Sequence, residues 1–290
     1  MDSKFINPFG DHGLYFTPSH DLRSCFEYYI HFNIAAKNLN RSFINPFPNG
    51  SIELYFHVGN NYVVTQEGSK ENIYKHFLAG VFELSHYLLL KPKTDNSFYS
   101  CIHIPIKLNE ISNLTNTPLI KLKNRILDIE EIWGEKGKKL KSNIEDNTDI
   151  NKVVKLIDKF LLDQLNKKID WKVKRINKII EFCLYKEGNI SVEEITKSLN
   201  ISYRTIYRIF TKQLGICPKE YLKIVRFNKV CNLLNKYPFI DWNEMAYSCG
   251  YYDQSHFIHD FKNILKISPE EFVSRIVNNY YLFHPVAFKL

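Results

Sequence analysis

The sequence lacks any run of about 18 apolar residues, the length that a helix needs to cross a membrane. Its first residues hold no basic stretch followed by an apolar one, so no secretory signal is predicted. We therefore expect a cytoplasmic protein with no membrane partner. The length of 290 residues favours two domains.

Cysteine is present, but not in a pattern that implies a bridge or a metal site. The six cysteines form no C-x-x-C pair, and their spacing fits neither zinc ligands nor a disulfide framework. Reduced, mostly buried thiols of a cytosolic protein are predicted instead. These positions are Cys25, Cys101, Cys183, Cys217, Cys231 and Cys249.

Signatures of catalysis are also missing. No glycine-rich phosphate loop and no G-x-S-x-G nucleophile elbow occurs. Five histidines of the N-terminal half form no H-x-H or H-x-x-x-H pattern, so no metal, cofactor or catalytic residue is predicted, and a structural role is the simpler interpretation. They are His31, His57, His76, His86 and His103. Five aromatic residues there fit either a small-molecule pocket or a core: Tyr55, Phe56, Phe77, Phe82 and Tyr87.

The basic excess of the chain lies almost wholly in its C-terminal part. Of the net charge of +8, residues 168–290 carry +7, from 19 basic and 12 acidic residues. Residues 1–167 hold 20 basic and 19 acidic residues. Such a surplus attracts a polyanion. A merely solvated basic surface fits it equally well, so charge alone does not decide.

Residues 1–105 are predicted to be rich in strands. Residues typical of β-structure concentrate in Ile52–Val58, Tyr62–Thr65 and Phe98–Ile104, and Pro105 is expected to stop the last of these. The turn signals between strands are Asn45-Pro46, Pro48-Asn49-Gly50 and Gly59-Asn60-Asn61. This pattern favours a small β-sandwich or barrel of cupin-like type.

Helical spacing replaces the strand pattern in residues 106–167. The apolar positions that show it are Leu108, Ile111, Leu114, Val153, Leu156, Ile157, Phe160, Leu161 and Leu165. Asn166-Lys167-Lys168 is the best candidate for a linker. We therefore predict an α+β protein with a sensor or dimerisation domain over 1–167, an all-α domain over 168–280 and a tail over 281–290.

The all-α domain contains an internal repeat. Ile195 matches Met245 at an offset of 50, and later positions match at an offset of 51 after one inserted residue. The pairs at 51 are Phe210 with Phe261, Leu214 with Leu265, Ile216 with Ile267, Pro218 with Pro269, and Tyr221 with Phe272. Chance is a poor explanation for so many matches in one register.

The first copy, residues 191–215, is typical of two helices joined by a tight turn. Ser191 and Glu194 can form a capping box at the start of a short helix. Asn200 tolerates the positive φ that a tight turn needs, and Ser202 can cap a second helix. That helix, predicted over Tyr203 to Leu214, should bury Ile206, Ile209, Phe210 and Leu214 and expose Arg204, Tyr207, Arg208 and Lys212.

The second copy, residues 241–265, repeats this design. Asp241 and Asp253 are expected to cap its two helices, and Gly250 to supply the turn. The second helix should bury Phe257, Phe261 and Leu265, and expose Gln254, Ser255, His256, His259, Asp260 and Asn263. Because such an arrangement pushes one helix into the major groove of DNA, we predict two helix-turn-helix units, called here the first unit and the second unit.

A helical spacer is predicted between the two units, over Pro218 to Tyr237. About 20 helical residues span about 30 Å. One turn of DNA is about 34 Å long. The spacer could therefore place the two units on successive major-groove faces of one duplex.

These residues also carry a family resemblance. Residues 174–273 resemble the C-terminal DNA-binding domain of the AraC/XylS family of bacterial transcription regulators, whose signature runs G-[FY]-x-D-x-S-H-F-x-R-x-F-K and then G-x-S-P-x-x-[YF]. The matching run is Gly250-Tyr251-Tyr252-Asp253-Gln254-Ser255-His256-Phe257, then Phe261-Lys262, Ser268-Pro269 and Phe272. The resemblance implies double-stranded DNA and RNA polymerase as partners.

Three positions depart from the family pattern. His259 stands where Arg is usual, Lys266 where Gly is usual, and Val273 where Arg is common. We therefore expect the second unit to make weaker contacts and the first unit to carry more of the sequence reading. In the N-terminal half, Pro48–Phe56 and Asp128–Gly134 are similar to the divergent cupin-like sensor halves of some AraC-type regulators, which implies a small-molecule effector, a homodimer, or both.

Twelve residues are predicted to contact DNA. They are Ser202, Tyr203, Arg204, Tyr207, Arg208 and Lys212 in the first unit, and Asp253, Gln254, Ser255, His256, His259 and Lys262 in the second. Arg204 and Arg208 are the candidates for reading bases, because Arg can bridge guanine O6 and N7. Lys212 and Lys262 would meet phosphates. At every position an ordinary exposed helix residue remains the alternative.

The sequence thus predicts a sequence-specific transcription regulator controlled by a signal at its N-terminal domain. Two alternatives stay open. One is a metal- or cofactor-dependent cupin-like enzyme with an accessory DNA-binding tail. The other makes the N-terminal half a purely structural dimerisation module without a ligand.

Overall fold

The computed structural model describes most of the chain. The described residues are 13–35, 43–44, 52–59, 62–66, 73–80, 88–92, 98–107, 110–115, 117, 119–165, 171–237, 240–277 and 281–282. Within those ranges no helix combines the length and the apolarity that crossing a membrane requires. Several predicted features fall outside them: the linker Asn166-Lys167-Lys168, the turn signals Asn45-Pro46 and Pro48-Asn49-Gly50, and the side chains of Phe82, His86 and Tyr87.

The N-terminal half is built on two sheets, as the prediction of an α+β fold requires. The first sheet has the strand order β1-β2-β9-β4-β7-β10 and is antiparallel, and the second has the order β11-β3-β8-β5-β6. The strands are β1 Gly13–Phe16, β2 Tyr29–Ala35, β3 Phe43–Ile44, β4 Ile52–His57, β5 Tyr62–Gln66, β6 Ile73–Tyr74, β7 His76–Ala79, β8 Leu88–Pro92, β9 Phe98–Ile106, β10 Ile126–Asp128 and β11 Tyr281–Leu282. A 3-10 turn, His20–Leu22, follows β1.

β4 shows why its sequence alternates only loosely. It lies in the middle of the first sheet, between β9 and β7. Leu54 and Phe56 pack into the main core, whereas Tyr55 belongs to a second cluster on the opposite face. All six residues of β4 are buried, so both faces of the strand are covered and neither needs to be consistently polar.

The expectation that Pro105 stops its strand is wrong. β9 continues to Ile106, and Pro105 lies opposite Glu53 of β4. On the other side of β9 the ladder with β2 ends at the pair Ile30–His103. Pro105 therefore sits beyond that ladder, where a missing N–H removes no hydrogen bond between strands.

Among the described residues of the stretch 106–167, where helical spacing is predicted, α-helix begins at Ile129. Before it lie the 3-10 turns Ile111–Asn113 and Leu119–Lys121, and β10, which pairs with β7 at the sheet edge. Asp128 fixes the late start, because its carboxylate accepts the N–H of Glu130 and completes a capping box. The helices that follow are α1 Ile129–Trp133, α2 Glu135–Glu145 and α3 Ile150–Gln164.

The C-terminal part is helical, and two helix-turn-helix units are joined by a long helix, as predicted. The helices are α4 Trp171–Tyr185, α5 Val192–Leu199, α6 Tyr203–Ile209, α7 Pro218–Lys236, α8 Trp242–Ser248, α9 Gln254–Leu265 and α10 Pro269–Val277. A π-helical turn, Phe210–Leu214, continues α6. The two described residues of the predicted tail form β11, which pairs in parallel with β3 of the N-terminal half.

The first and second helix-turn-helix units belong to two different apolar cores. The main core runs from the first sheet through α3 and α4 into the first unit, and a different cluster fills the second unit. α7 belongs to both, since Val225 lies in the main core and Phe227 in the second. A polar contact adds to the main core, because Asn177 of α4 donates to the buried Glu110 carboxylate over 3.1 Å.

Candidate DNA-binding surface

Local hydrogen bonds build the first unit in the way that the sequence predicts. Ser191 Oγ accepts the N–H of Glu194 (3.1 Å), and the Glu194 carboxylate accepts the N–H of Ser191 (2.8 Å). Asn200 adopts the left-handed conformation, with φ 50 and ψ 49. Ser202 Oγ accepts the N–H of Thr205 over 3.3 Å. The predicted capping box, turn and second cap are confirmed.

The predicted contact residues of α6 and its π-helical turn share an exposed face. Tyr203, Arg204, Tyr207, Arg208 and Lys212 are exposed, as is Ser202 at the cap. Behind them Ile206 and Phe210 are fully buried, as predicted. The rings of Tyr203 and Tyr207 stack with centroids 6.2 Å apart. Because Arg204 and Arg208 have the same spacing of four residues, one row of aromatic rings runs beside one row of guanidinium groups.

The end of this helix differs from the prediction of a continuous α-helix to Leu214. From Phe210 the chain follows a π-helical turn, and Gly215 ends it with φ 72 and ψ 1. The hydroxyl of Thr211 donates to the carbonyl of Tyr207 over 2.9 Å. An α-helical N–H at Thr211 would use that carbonyl, so the side chain competes with the backbone ladder at this point.

The second unit has the predicted caps and turn. Asp241 accepts the N–H groups of Asn243 and Glu244, and Asp253 accepts that of His256 over 2.7 Å. Gly250 adopts φ 73 in the turn. Phe257, Phe261 and Leu265 are buried. Trp242 stacks on Phe257 with centroids 6.0 Å apart, which anchors α8 against α9.

The predicted contact residues of α9 mostly face solvent. Ser255, His256, His259 and Lys262 are exposed, Gln254 is half-buried, and Asp253 is exposed at the cap. Asn263 Nδ2 lies 3.1 Å from His259 Nδ1. Short polar groups therefore replace the rows of Tyr and Arg found in the first unit. The two units differ in the chemistry that they offer to a duplex.

The prediction that Asp260 belongs to this outer face is wrong. Asp260 is only 5% exposed. Its Oδ1 accepts from Lys223 Nζ of α7 over 3.3 Å, and its Oδ2 lies 3.8 Å from His256 Nε2. Asp260 follows the buried Phe257 by three residues, which puts both on the side of α9 that packs against α7. Its charge neutralises a lysine and does not face outward.

Three basic residues of α7 have a role that the charge count missed. Lys223, Arg226 and Lys229 follow one another at intervals of three, so they form a stripe along one side of the helix. All three contact groups inside the C-terminal domain: Asp260, the carbonyl of Gly188 and the carboxylate of Glu187. Part of the basic excess is therefore structural. The interval of three was the available signal in the sequence.

Lys266, noted above for replacing a family glycine, occupies a left-handed position. It ends α9 with φ 62 and ψ 9, and its N–H donates to the carbonyl of Lys262 over 2.9 Å. Gly215 ends the first unit in the same conformation at the equivalent repeat position. A side chain with a Cβ is strained there, whereas glycine is not.

Lys266→Gly should therefore stabilise the second unit by about 1 kcal/mol, the usual cost of a left-handed residue that carries a Cβ. The measurement is the free energy of unfolding in urea. Gly215→Ala should lower stability by a similar amount, and Asn200→Gly should change it less, because asparagine tolerates this conformation. A destabilised Lys266→Gly variant would show that the lysine side chain outweighs the strain.

Four histidines of the N-terminal half are buried in the first sheet. Strand alternation places His57 and His103 on the face of Tyr55, and His31 and His76 on the opposite face. Burial lowers the pKa of His31 and of His57 to about 4 and the pKa of His76 to about 2. His31, His57 and His76 are therefore uncharged at neutral pH.

Ring stacking and polar contacts hold two of these histidines, His103 and His57, within the sheet. His103 stacks on Tyr55 with centroids 4.7 Å apart and lies 3.4 Å from the Glu53 carboxylate. His57 Nε2 lies 3.2 Å from the Tyr99 hydroxyl. In the described part of the chain, no group of three or more His, Cys, Asp or Glu side chains is placed to hold a metal ion.

A cleft of about 690 Å³ opens outside the sheets, between the 3-10 turns, β10, α1 and the end of α3. Lys121, Arg125 and Lys136 line it together with Glu131 and Asp163. Trp133 contributes its indole, whose Nε1 donates to the carbonyl of Leu114 over 3.0 Å. Glu131 and Trp133 belong to the 128–134 segment that resembles sensor halves, whereas the other lining residues come from separate segments that no local sequence pattern connects.

Comparison with known proteins relates the C-terminal part of the chain to helix-turn-helix domains. Residues 195–275 match a family model described as a helix-turn-helix domain. The chain is 31% identical over 125 residues to the Msm operon regulatory protein of Streptococcus mutans, covering 43% of this chain and 45% of that protein. It is 33% identical over 86 residues to the lactose operon transcription activator of Staphylococcus xylosus, covering 30% of each.

These matches span less than half the length of either curated relative. Among solved structures, ToxT from Vibrio cholerae is similar with a TM-score of 0.46 and 13% sequence identity, over 85% of this chain and 97% of that one.

Proposed function

We propose that the C-terminal part of this chain is a helix-turn-helix DNA-binding domain of the AraC/XylS type, and that the chain binds promoter DNA sequence-specifically and regulates transcription. The relatives are named as operon regulators and transcription activators, which favours a regulator over the cupin-like enzyme considered above. RNA polymerase is the further partner that this function requires.

The observation that carries the proposal is the pair of exposed polar helix faces joined by one long helix. α6 and α9 each follow a tight turn and begin at a capping residue. Each helix buries an apolar stripe and exposes its opposite face. α7 has 19 residues. A helix of that length spans about 28 Å, close to the distance of about 34 Å between successive turns of one groove. Each unit thereby addresses its own major-groove segment.

The two faces have different tasks in this proposal. Arg204 and Arg208 read base edges in the first groove, and the two tyrosines beside them provide apolar contact and hydroxyl groups. In the second groove, Gln254, Ser255 and His259 make the corresponding contacts, while Lys212 and Lys262 bind phosphates. Ser202 and His256 lie in the first turns of α6 and α9, where a backbone phosphate is favoured, and Asp253 caps α9.

The regulatory signal enters through the N-terminal domain in this proposal. The cleft beside α1 has three cationic and two anionic residues in its lining, together with Trp133. This lining suits a small molecule that has a planar or apolar body and an acidic group. The cleft borders α3, whose apolar face is part of the core that continues into the first unit. A homodimer through the N-terminal domain fits the same scheme.

The test is binding to duplex DNA as a function of salt. Wild-type affinity for a duplex selected from a random library should fall about 100-fold between 50 and 200 mM salt, which corresponds to about four released counterions. Lys212→Gln and Lys262→Gln should each reduce the slope of log affinity against log salt by about one. Lys152→Gln, an exposed lysine on α3, is the matched control. A flat salt response, or equal affinity for all sequences, contradicts the proposal.

A further inference from the structure

The apolar packing of the two units is divided between two clusters that meet on α7. The core of the first unit ends there at Val225, and the core of the second begins at Phe227. No shared apolar cluster joins the two units directly among the described residues, so contacts that cross this boundary add to what α7 itself provides. The stripe of Lys223, Arg226 and Lys229 crosses it.

Lys229 bridges two turns, residues 187–189 just before the first unit and residues 248–251 inside the second unit. Its Nζ binds the Glu187 carboxylate, in the turn between α4 and α5, and donates to the carbonyl of Ser248 at the end of α8 over 2.6 Å. The ion pair is half-buried on both sides. One side chain therefore ties the loop that precedes the first unit to the turn inside the second.

Arg226 makes the same connection one turn earlier on the helix. Its guanidinium donates to the carbonyl of Gly188 over 3.1 Å and lies over the ring of Tyr251, 5.8 Å from the centroid. Tyr251 in turn meets the ring of His256, at the start of α9, with centroids 5.3 Å apart. The contact reaches the helix that faces DNA in the second unit.

The two turns also touch each other. A Cβ at Gly250 would lie 2.5 Å from the side chain of Asn189. A Cβ at Gly188 would lie 2.5 Å from the carbonyl of Leu222 on α7. The absence of a side chain at each glycine is what allows the close approach. Both glycines also have positive φ, a conformation that other residues adopt only with strain.

We propose that Arg226 and Lys229 are positioning residues that clamp the 187–189 turn to the 248–251 turn and so set the separation of the two DNA half-sites that the chain accepts. This rests on the proposed function. Inserting two base pairs between half-sites rotates the second groove by about 70°. A clamped pair of units cannot follow that rotation, whereas an unclamped pair can bend at the boundary on α7.

The experiment compares half-site spacing profiles of the full chain. The probe is the duplex selected by the wild type, with zero, one, two or four base pairs inserted at its centre. Wild type should lose at least tenfold in affinity at two base pairs. Lys229→Met and Arg226→Met should lose less than threefold, while affinity for a single half-site stays within twofold of wild type.

Controls separate a clamp from a general loss of structure. Lys219→Met removes an exposed lysine from the same helix and should keep the wild-type profile, and Lys229→Arg should restore it by remaking both contacts. Circular dichroism checks that each variant is folded. An unchanged spacing profile in folded Lys229→Met and Arg226→Met overturns the clamp. Failure of the wild type to select any duplex overturns the proposed function itself.

Discussion

Arg204→Ala combined with Arg208→Ala should abolish selective DNA binding while leaving the fold intact. Each bidentate contact of an Arg with guanine contributes roughly 1–3 kcal/mol of discrimination, so loss of both should lower affinity for the selected duplex by about 30-fold to 20,000-fold. Both residues are exposed on α6. The thermal midpoint should change little, because neither side chain is buried. Titration of the selected and a scrambled duplex measures the loss.

A matched charge control accompanies this variant. Arg23→Ala combined with Arg175→Ala removes the same two charges from exposed positions outside the α6 face. It should weaken binding to both duplexes equally and slightly, because distant charges add only a screened attraction. Retained selectivity in the Arg204→Ala/Arg208→Ala variant would mean that another face of the domain reads the sequence.

The N-terminal domain should lose stability as the pH falls from 7.5 to 5. The pKa values of His31, His57 and His76 are lowered by burial, so the unfolded chain takes up protons near pH 6.5 while the folded chain does not. Stability is therefore full above pH 6.5 and declines below it. At pH 5 each histidine costs about 2 kcal/mol. Three such groups remove a large part of a typical 5–15 kcal/mol.

His76→Phe tests this origin of the acid sensitivity. His76 is fully buried near Phe56, with both ring nitrogens unbonded, and Lys75, Lys141, His57 and Glu145 are the titratable groups around it. The variant should recover about 4–8 °C of the thermal midpoint lost at pH 5. His259→Gln, on the exposed face of α9, should recover none. An unchanged pH profile in His76→Phe would place the sensitivity elsewhere.

The second unit shows which features are predictable from the sequence. Asp241, Gly250 and Asp253 act through neighbours within three residues, so their spacing alone indicated caps and turn. Asp260 was misplaced because its partner, Lys223, is 37 residues away. No local pattern reports a contact at that distance. The same reason hid Glu187 and Ser248 as partners of Lys229.

The N-terminal half was less predictable because its sheet is covered on both faces. β4 shows only a weak alternation, since its polar positions, such as Glu53 and His57, are buried as deeply as its apolar ones. Proline predicts the end of a strand, but Pro105 lies where β9 pairs only with β4, because the ladder between β9 and β2 has already ended at His103. The position of a strand in its sheet decides both cases, and strand order is set by non-local pairing.

The continuity of the main core gives the two units unequal status. Because the first unit shares its apolar interior with the sheet, the proposed regulatory rearrangement of the N-terminal half would reach Arg204 and Arg208 through a single packed body. The second unit has an interior of its own and receives that movement only along α7 and its basic stripe. In the proposed function, a promoter would thus receive the incoming signal first through Arg204 and Arg208, and the second half-site would receive it through the contacts of Arg226 and Lys229.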